Sequence, residues 1–201
     1  MRLILASRSP GRLRILRHAG LDPEVMVSGF DEHQIQDPVA TSLAQRLAVA
    51  KGEAVLPRID GDAIVVAGDS VLEFEGKAWG KPRDAEAVVQ QWRRLRGRQG
   101  VLHSGHYVWV RDAKGARSMH RLASTELGFA DLPDDEIRAY AATGEPLGVA
   151  GSFTIDGFGS AFVTHIVGDP HNVVGISPSL LRQMLTDLGI RWHQLWQLPR
   201  Q

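Results

Sequence analysis

Leu3-Ile4-Leu5-Ala6 is a short apolar run that stops abruptly at Ser7-Arg8-Ser9-Pro10, and a helical apolar period follows at once through Leu13, Ile15, Leu16 and Ala19 to Gly20. This pattern predicts a buried strand, a tight turn, and a helix with Pro10 near its first position and Gly20 just past its end. A strand feeding directly into a helix is the building unit of α/β architectures. The helix start presents unpaired backbone N–H groups, with the hydroxyls of Ser7 and Ser9 and the guanidinium groups of Arg8 and Arg12 beside them. That combination suits a phosphate. The helix dipole supplies only about 0.3–1 kcal/mol at an exposed site, so the arginines must provide most of the attraction. An ordinary strand–helix junction with an N-cap serine has the same residues, so these ten positions alone select no ligand.

The rest of the chain repeats the alternation. Strand 2–6 leads to helix 9–19 and a short strand at 24–28; helix 40–56 ends before Pro57. Ala63-Ile64-Val65-Val66-Ala67 is a strong strand that continues past Asp69 into Val71-Leu72, and Glu75-Gly76 reads as a hairpin tip. Helix 84–95 has Asp84 as its cap. Strands 101–111 and 117–129 are joined at Asp112-Ala113-Lys114-Gly115, a favourable turn. Pro133 opens a helix that stops at Gly144. The glycine-rich segment 148–160 is expected to hold short strands, followed by a strand at 161–167 and a last helix at 177–188. An antiparallel pair inside an otherwise βα pattern predicts a mixed sheet with helices on its faces. No repeat or long linker divides the chain, which predicts a single domain over residues 1–201.

Composition narrows the function. The chain has 201 residues, 43% of them hydrophobic, long enough to bury a core without disulfides or a structural metal. Its 23 basic and 23 acidic side chains balance, which argues against a nucleic-acid surface and favours a local basic patch for a small phosphorylated ligand. There is no cysteine, hence no thiolate nucleophile and no Cys-ligated zinc. No apolar run approaches the ~18 residues of a membrane helix, and the first residues lack a signal-peptide core. A cytoplasmic protein is expected, with no membrane partner.

Three further segments carry unusual chemistry. Asp69 follows a strand too apolar to lie at the surface, with Gly68 leaving room beside it. Ligand crevices of open α/β sheets lie at the carboxyl ends of strands, where an acid can bind a metal or accept a proton from water; a turn aspartate capping the next N–H is the alternative. In Gly80-Lys81-Pro82, the proline holds Lys81 extended, which lowers the entropy lost on meeting an anion; a solvated loop lysine is the commoner outcome. Gly148–Ser160 and Asp169-Pro170-His171-Asn172-Val173-Val174-Gly175 are dense in glycine, which implies positive-φ turns or backbone pressed close to a ligand. Neither matches a phosphate loop ending in Gly-Lys-Ser/Thr or the Gly-x-Gly-x-x-Gly dinucleotide fingerprint. The eight histidines show no zinc spacing. Among the tryptophans, Trp192 and Trp196 stand i,i+4 in a C-terminal segment, and core packing is the expected role for most of the five.

Taken together these segments resemble the Maf family, nucleoside triphosphate pyrophosphatases once described as septum-formation inhibitors. Leu5-Ala6-Ser7-Arg8-Ser9-Pro10, with Arg12, is similar to the family's opening signature Leu-Ala-Ser-x-Ser-Pro-Arg-Arg. Phe30-Asp31-Glu32 matches an acidic step after the second strand, and Lys51 stands at the lysine of a Leu-Ala-x-x-Lys-Ala helix. Gly68-Asp69-Ser70 stands for Ala-Asp-Thr, Gly80-Lys81-Pro82 for Gly-Lys-Pro, and Ala150-Gly151-Ser152-Phe153 through Gly159 for the glycine-rich motif. The resemblance covers nearly the whole chain.

It implies a three-layer α/β/α fold with a central mixed, mostly parallel twisted sheet, ITPase/Maf-like, with two lobes around a cleft. It implies hydrolysis of a nucleoside triphosphate to the monophosphate and pyrophosphate, a house-cleaning acid-anhydride hydrolase that uses Mg²⁺ or Mn²⁺. By position, Asp69 is the proton acceptor for the attacking water and a metal ligand, Glu32 is the partner of the metal, and Ser7, Ser9, Arg12, Lys51, Ser70 and Lys81 bind substrate. A homodimer is permitted. The departures are local: Gly11 replaces one signature arginine, with Arg8 one turn before Arg12 and able to approach the same anion. Gln99-Gly100 replaces Thr-His, and Val149 replaces a lysine. Phe153-Thr154-Ile155-Asp156 looks more like the branch preferring dTTP and UTP, while modified purine triphosphates are a second specificity. A non-enzymatic nucleotide-binding regulator of septum formation is the alternative function, and pyrophosphate release discriminates the two.

Overall fold

The computed structural model describes residues 1–197. Seven strands form one sheet: β1 (Arg2–Leu5), β2 (Glu24–Val25), β3 (Ala63–Phe74), β4 (Lys77–Trp79), β5 (Gln99–Asp112), β6 (Gly115–Phe129) and β7 (Val163–Val167). The helices are α1 (Pro10–His18), α2 (Ala40–Glu53), α3 (Ala85–Leu95), α4 (Asp134–Ala142), α5 (Pro170–Val174) and α6 (Pro178–Asp187). No helix among the described residues is long and apolar enough to cross a membrane.

The strand order is β2-β1-β3-β5-β6-β7, with β4 folded back on β3. The sheet is mixed, as the sequence predicts, but parallel pairing is confined to β1 with β2 and β1 with β3. β3 with β4, β3 with β5, β5 with β6 and β6 with β7 are antiparallel. The expected mostly parallel sheet is therefore corrected to a mostly antiparallel one. The reason lies in the connections. Helices α1 and α2 are the crossovers that serve the parallel pairs, whereas tight turns join β3 to β4 and β5 to β6, and a two-residue connection cannot join parallel strands. At the first of these turns Glu75 and Gly76 both have positive φ, 52° and 69°, the twist a two-residue hairpin needs.

Alternation along β3 builds the layers. Ile64 and Val66 pack with Leu16 of α1 and with Leu181 and Met184 of α6. Val65 and Ala67 point the other way and pack with Ala48 of α2 and with Val55. Farther along the strand, Leu72 and Phe74 join Val88 and Trp92 of α3 and Ile137 of α4. Helices thus cover both faces, and β3 runs from one apolar cluster into another with Gly68-Asp69-Ser70 between them.

Several boundaries differ from expectation. Helix α2 ends at Glu53, and Pro57 sits in a single 3-10 turn, Leu56–Arg58. The segment 148–160 forms no strand; it makes 3-10 turns at Ala150–Ser152 and Phe158–Phe162, and β7 begins only at Val163. Glu145 explains this. Its carboxylate accepts from Phe158 N at 2.8 Å, Gly159 N at 2.9 Å and Thr154 Oγ1 at 2.5 Å, so the backbone bonds a side chain rather than a neighbouring strand. Helix α5 is unanticipated, although Asp169-Pro170 is a cap followed by a first-turn proline: Asp169 Oδ1 accepts from His171 N at 2.9 Å. Trp92 is fully buried, whereas Trp196 is 46% exposed.

Candidate functional site

Strand β3 positions two polar side chains on opposite faces of the sheet. Asp69 points toward α2 and is 3% exposed. There it meets Lys51, from the last turn of α2, with Lys51 Nζ donating to Asp69 Oδ1 at 2.5 Å. The same ammonium donates to Glu32 Oε1 at 2.7 Å. Glu32 sits in a single 3-10 turn, Glu32–Gln34, whose cap Asp31 accepts from His33 N at 3.0 Å. Lys81 Nζ reaches the other Glu32 oxygen at 2.8 Å. Burial alone would raise the Glu32 pKa, but hydrogen bonds and charge from Lys51 and Lys81 outweigh it and hold the group down to about 2.

Ser70 points toward α1 and accepts from the Arg12 guanidinium at 3.1 Å. Arg12 also donates to Ser7 Oγ at 3.2 Å and, through Nε, to the Gly175 carbonyl at 2.8 Å. Ser7 Oγ accepts from Ser9 N at 3.1 Å, and Ser9 caps α1 by accepting from Arg12 N at 3.3 Å. Burial pulls the Arg12 pKa below its usual value, with Asp69 and Glu32 opposing. The guanidinium spends three of its five N–H donors on the protein, which leaves two.

The slot that holds Arg12 is made by glycines. A Cβ at Gly175, where φ is +120°, would stand 3.0 Å from Arg12 Nε. One at Gly68 would stand 3.1 Å from the Gly105 carbonyl and 3.5 Å from Arg12 Nε. Behind the slot, Ser70 Oγ donates to Ser104 Oγ at 2.8 Å, and Ser104 Oγ donates to the Asn172 carbonyl at 3.1 Å. His106, fully buried, bonds the Ser104 carbonyl through Nδ1 at 3.0 Å and accepts from Ser177 N through Nε2 at 2.8 Å. Burial, with the nearby Arg12 charge assisting, lowers its pKa to about 4, so the ring is neutral.

Ser7, Ser9, Arg12, Glu32, Lys51, Asp69, Ser70 and Lys81, chosen from sequence, all line one cavity of about 630 Å³. A second cavity of about 600 Å³, lined by Arg182, Trp192 and Trp196, contains none of them. Sequence reasoning missed other residues of the site. Arg14 of α1 pairs with Asp156 of the glycine-rich segment across the cavity, and Ser104 and Gly175 support Arg12 from behind. Glycine density in 148–160 and 169–175 was the available signal, but it could not say which carbonyl or carboxylate would face the helix. Five cationic side chains (Arg8, Arg12, Arg14, Lys51, Lys81) and three carboxylates (Glu32, Asp69, Asp156) line the cavity, a surplus of two positive charges in a chain whose formal net charge is zero. Leu147, Val149, Phe153 and Ile155 supply an apolar wall.

The arrangement can gather an anion, hold carboxylate oxygens beside it and offer a flat apolar group a surface. Residues 2–188 match the family model described as Maf-like protein. A protein of Cutibacterium acnes named nucleoside triphosphate pyrophosphatase is 51% identical, over 98% of this chain and 95% of that one. Proteins of the same name from Streptomyces coelicolor and a Cyanothece species are 49% and 41% identical, covering 97% and 98% of this chain and 94% and 100% of theirs. With signature residues distributed over the whole fold and converging on one cleft, the chain belongs to the Maf-like family.

Proposed function

We propose that this protein is a hydrolase that cleaves nucleoside triphosphates to the monophosphate and pyrophosphate. The observation that carries the proposal is a single ammonium, Lys51 Nζ, shared by the carboxylates of Asp69 and Glu32 in a cavity where cationic side chains outnumber carboxylates by five to three. A module that only bound an anion would gain nothing from acids beside it. A hydrolase needs an acceptor for the proton of attacking water.

In this reading Asp69 accepts that proton. Arg12 turns its two remaining donors to phosphate oxygens, and Ser7, Ser9 and Ser70 add hydroxyls. Lys51 and Lys81 exchange carboxylate partners for phosphate as the substrate enters, which frees Asp69 for the water and stabilises the charge that builds on the leaving pyrophosphate. The surplus of positive charge in the cavity suits a polyphosphate, and the balanced charge of the whole chain suits a small ligand better than a nucleic acid.

Glu32 and Asp69 fit a divalent cation. Hard carboxylate oxygens joined by substrate phosphates and water form the donor set that Mg²⁺ takes. Among the described residues no group of three or more acids or histidines is gathered to hold a metal by protein alone. Glu32 and Asp69 would hold such an ion, and it would neutralise phosphate charge.

The test is pyrophosphate release from a panel including dTTP, UTP and modified purine triphosphates, with Mg²⁺ or Mn²⁺. Asp69→Asn is expected to fold and to lose activity by the ~10²–10⁴-fold typical of a positioned base. Near-full turnover in that variant would remove Asp69 from the mechanism. Binding without release from any triphosphate would identify a regulator rather than an enzyme.

A further inference from the structure

Four of the five cations that line the cavity are already engaged. Arg12 is bonded to Ser7, Ser70 and the Gly175 carbonyl. Lys51 lies between Asp69 and Glu32, Lys81 rests on Glu32, and Arg14 is paired with Asp156. Arg8 differs. It is exposed, lines the cavity, and its side chain makes no hydrogen bond or ion pair among the described residues.

The neighbouring position 11 is a glycine and brings no cation. A Cβ on Gly11 would come within 2.8 Å of Val174 Cγ1 and 3.4 Å of the Val174 carbonyl. Val174 is the last residue of α5, and the next residue, Gly175, supplies the carbonyl that fixes Arg12. Helix α5 therefore cannot withdraw to admit a side chain at position 11 without disturbing the Arg12 slot. With Val174 as placed, position 11 has no room for a side chain. Position 8, just before the cap of α1, opens on the same cavity.

We propose that Arg8 is a substrate-binding residue that closes on the phosphate chain, the one cavity cation with no protein partner among the described residues. The proposal rests on the nucleotide reading above and adds a contact to it. A cation already paired with a carboxylate gains from a phosphate only the difference between two ion pairs. Arg8 gives up only water, and its planar fork can grip two phosphate oxygens at once.

The experiment compares Arg8→Ala and Arg8→Lys with the wild type, using the triphosphate that the wild type hydrolyses best and inorganic tripolyphosphate as a competitive inhibitor without a nucleoside. Arg8→Ala is expected to raise KM and the tripolyphosphate inhibition constant together by about tenfold or more, the worth of one charge-assisted bond. Its kcat should stay within about threefold and its thermal midpoint should not move, because Arg8 supports no other residue. Arg8→Lys should recover part of the loss, as a point charge without the fork. Unchanged constants in Arg8→Ala would overturn the proposal. So would a raised KM with unaltered tripolyphosphate inhibition, which would put Arg8 on the nucleoside. If the wild type released no pyrophosphate, the function proposed above would fall, and calorimetric binding of tripolyphosphate to wild type and Arg8→Ala would still decide the role of Arg8.

Discussion

Arg12 shows how much a single side chain in this site depends on residues that never touch an anion. Its guanidinium lies in a slot bounded by Gly68 and Gly175, and Gly175 is held at φ +120°. A side chain there meets both a strained backbone and the Arg12 Nε at 3.0 Å. Gly175→Ala is expected to destabilise the fold by roughly 1–3 kcal/mol for the strained conformation and to lower kcat/KM by about tenfold or more through the displaced guanidinium. Denaturant unfolding and steady-state kinetics check the two parts separately. A variant that lost stability but kept full activity would show that Arg12 does not need its slot. The same glycine was visible in Asn172-Val173-Val174-Gly175, but the residue it accommodates, 163 positions away, was not.

At the scale of elements, the glycine-rich segment 148–160 is the part of the cavity wall with the least regular structure. Glu145 organises it, bonding Thr154, Phe158 and Gly159 as well as Tyr140 Oη at 3.2 Å. Burial would raise the Glu145 pKa, but these donors outweigh it and keep the group below the usual carboxylate range. Glu145→Ala leaves several donors without a partner, at a cost of about 1–3 kcal/mol, and frees a wall that contributes Phe153, Thr154, Ile155 and Asp156 to the cavity. The expected outcome is a lower thermal midpoint, faster proteolysis within residues 144–160, and a KM raised several-fold with a smaller change in kcat. Unaltered proteolysis and KM would show that the wall holds itself. Strands expected in this segment did not form because a local carboxylate competed successfully for the backbone N–H groups. The signal was present in Glu145 and the glycines, but alternation and turn residues do not reveal which acid will turn inward.

At the scale of the whole molecule, the cavity lies where β3 passes from the cluster under α1 and α6 to the cluster under α3 and α4. His106 ties this region together, joining β5 to the start of α6 through Ser177 N. Its pKa, about 4 in the fold against 6.5 ordinarily, makes it a group that the unfolded chain protonates first. Between these values the unfolded state binds more protons, so stability must fall as pH drops from about 6.5 toward 4. Glu32, held near 2 against 4.5, contributes stability that is full above about 4.5 and is lost as pH falls toward 2. Denaturant midpoints measured from pH 7 to pH 4 should therefore decline, and His106→Asn should show a shallower slope over that range. An identical slope in the variant would exclude His106 as the source.

Read alone, the chain determined most of its local grammar: which segments outside 148–160 and 170–174 are strands and helices, where Asp84 caps, where Glu75-Gly76 turns, and which side chains have the chemistry to meet a phosphate or take up a proton. These are local properties, set by periodicity, dihedral preference and side-chain type within a few residues. Tertiary structure alone decided direction and partnership. Two of the four antiparallel pairs are hairpins, β3–β4 and β5–β6, while β3–β5 and β6–β7 pair strands that α3 and α4 separate along the chain. Lys51 came to lie between Asp69 and Glu32, and Arg12 against Gly175, because such contacts are chosen by packing over separations that no local pattern encodes.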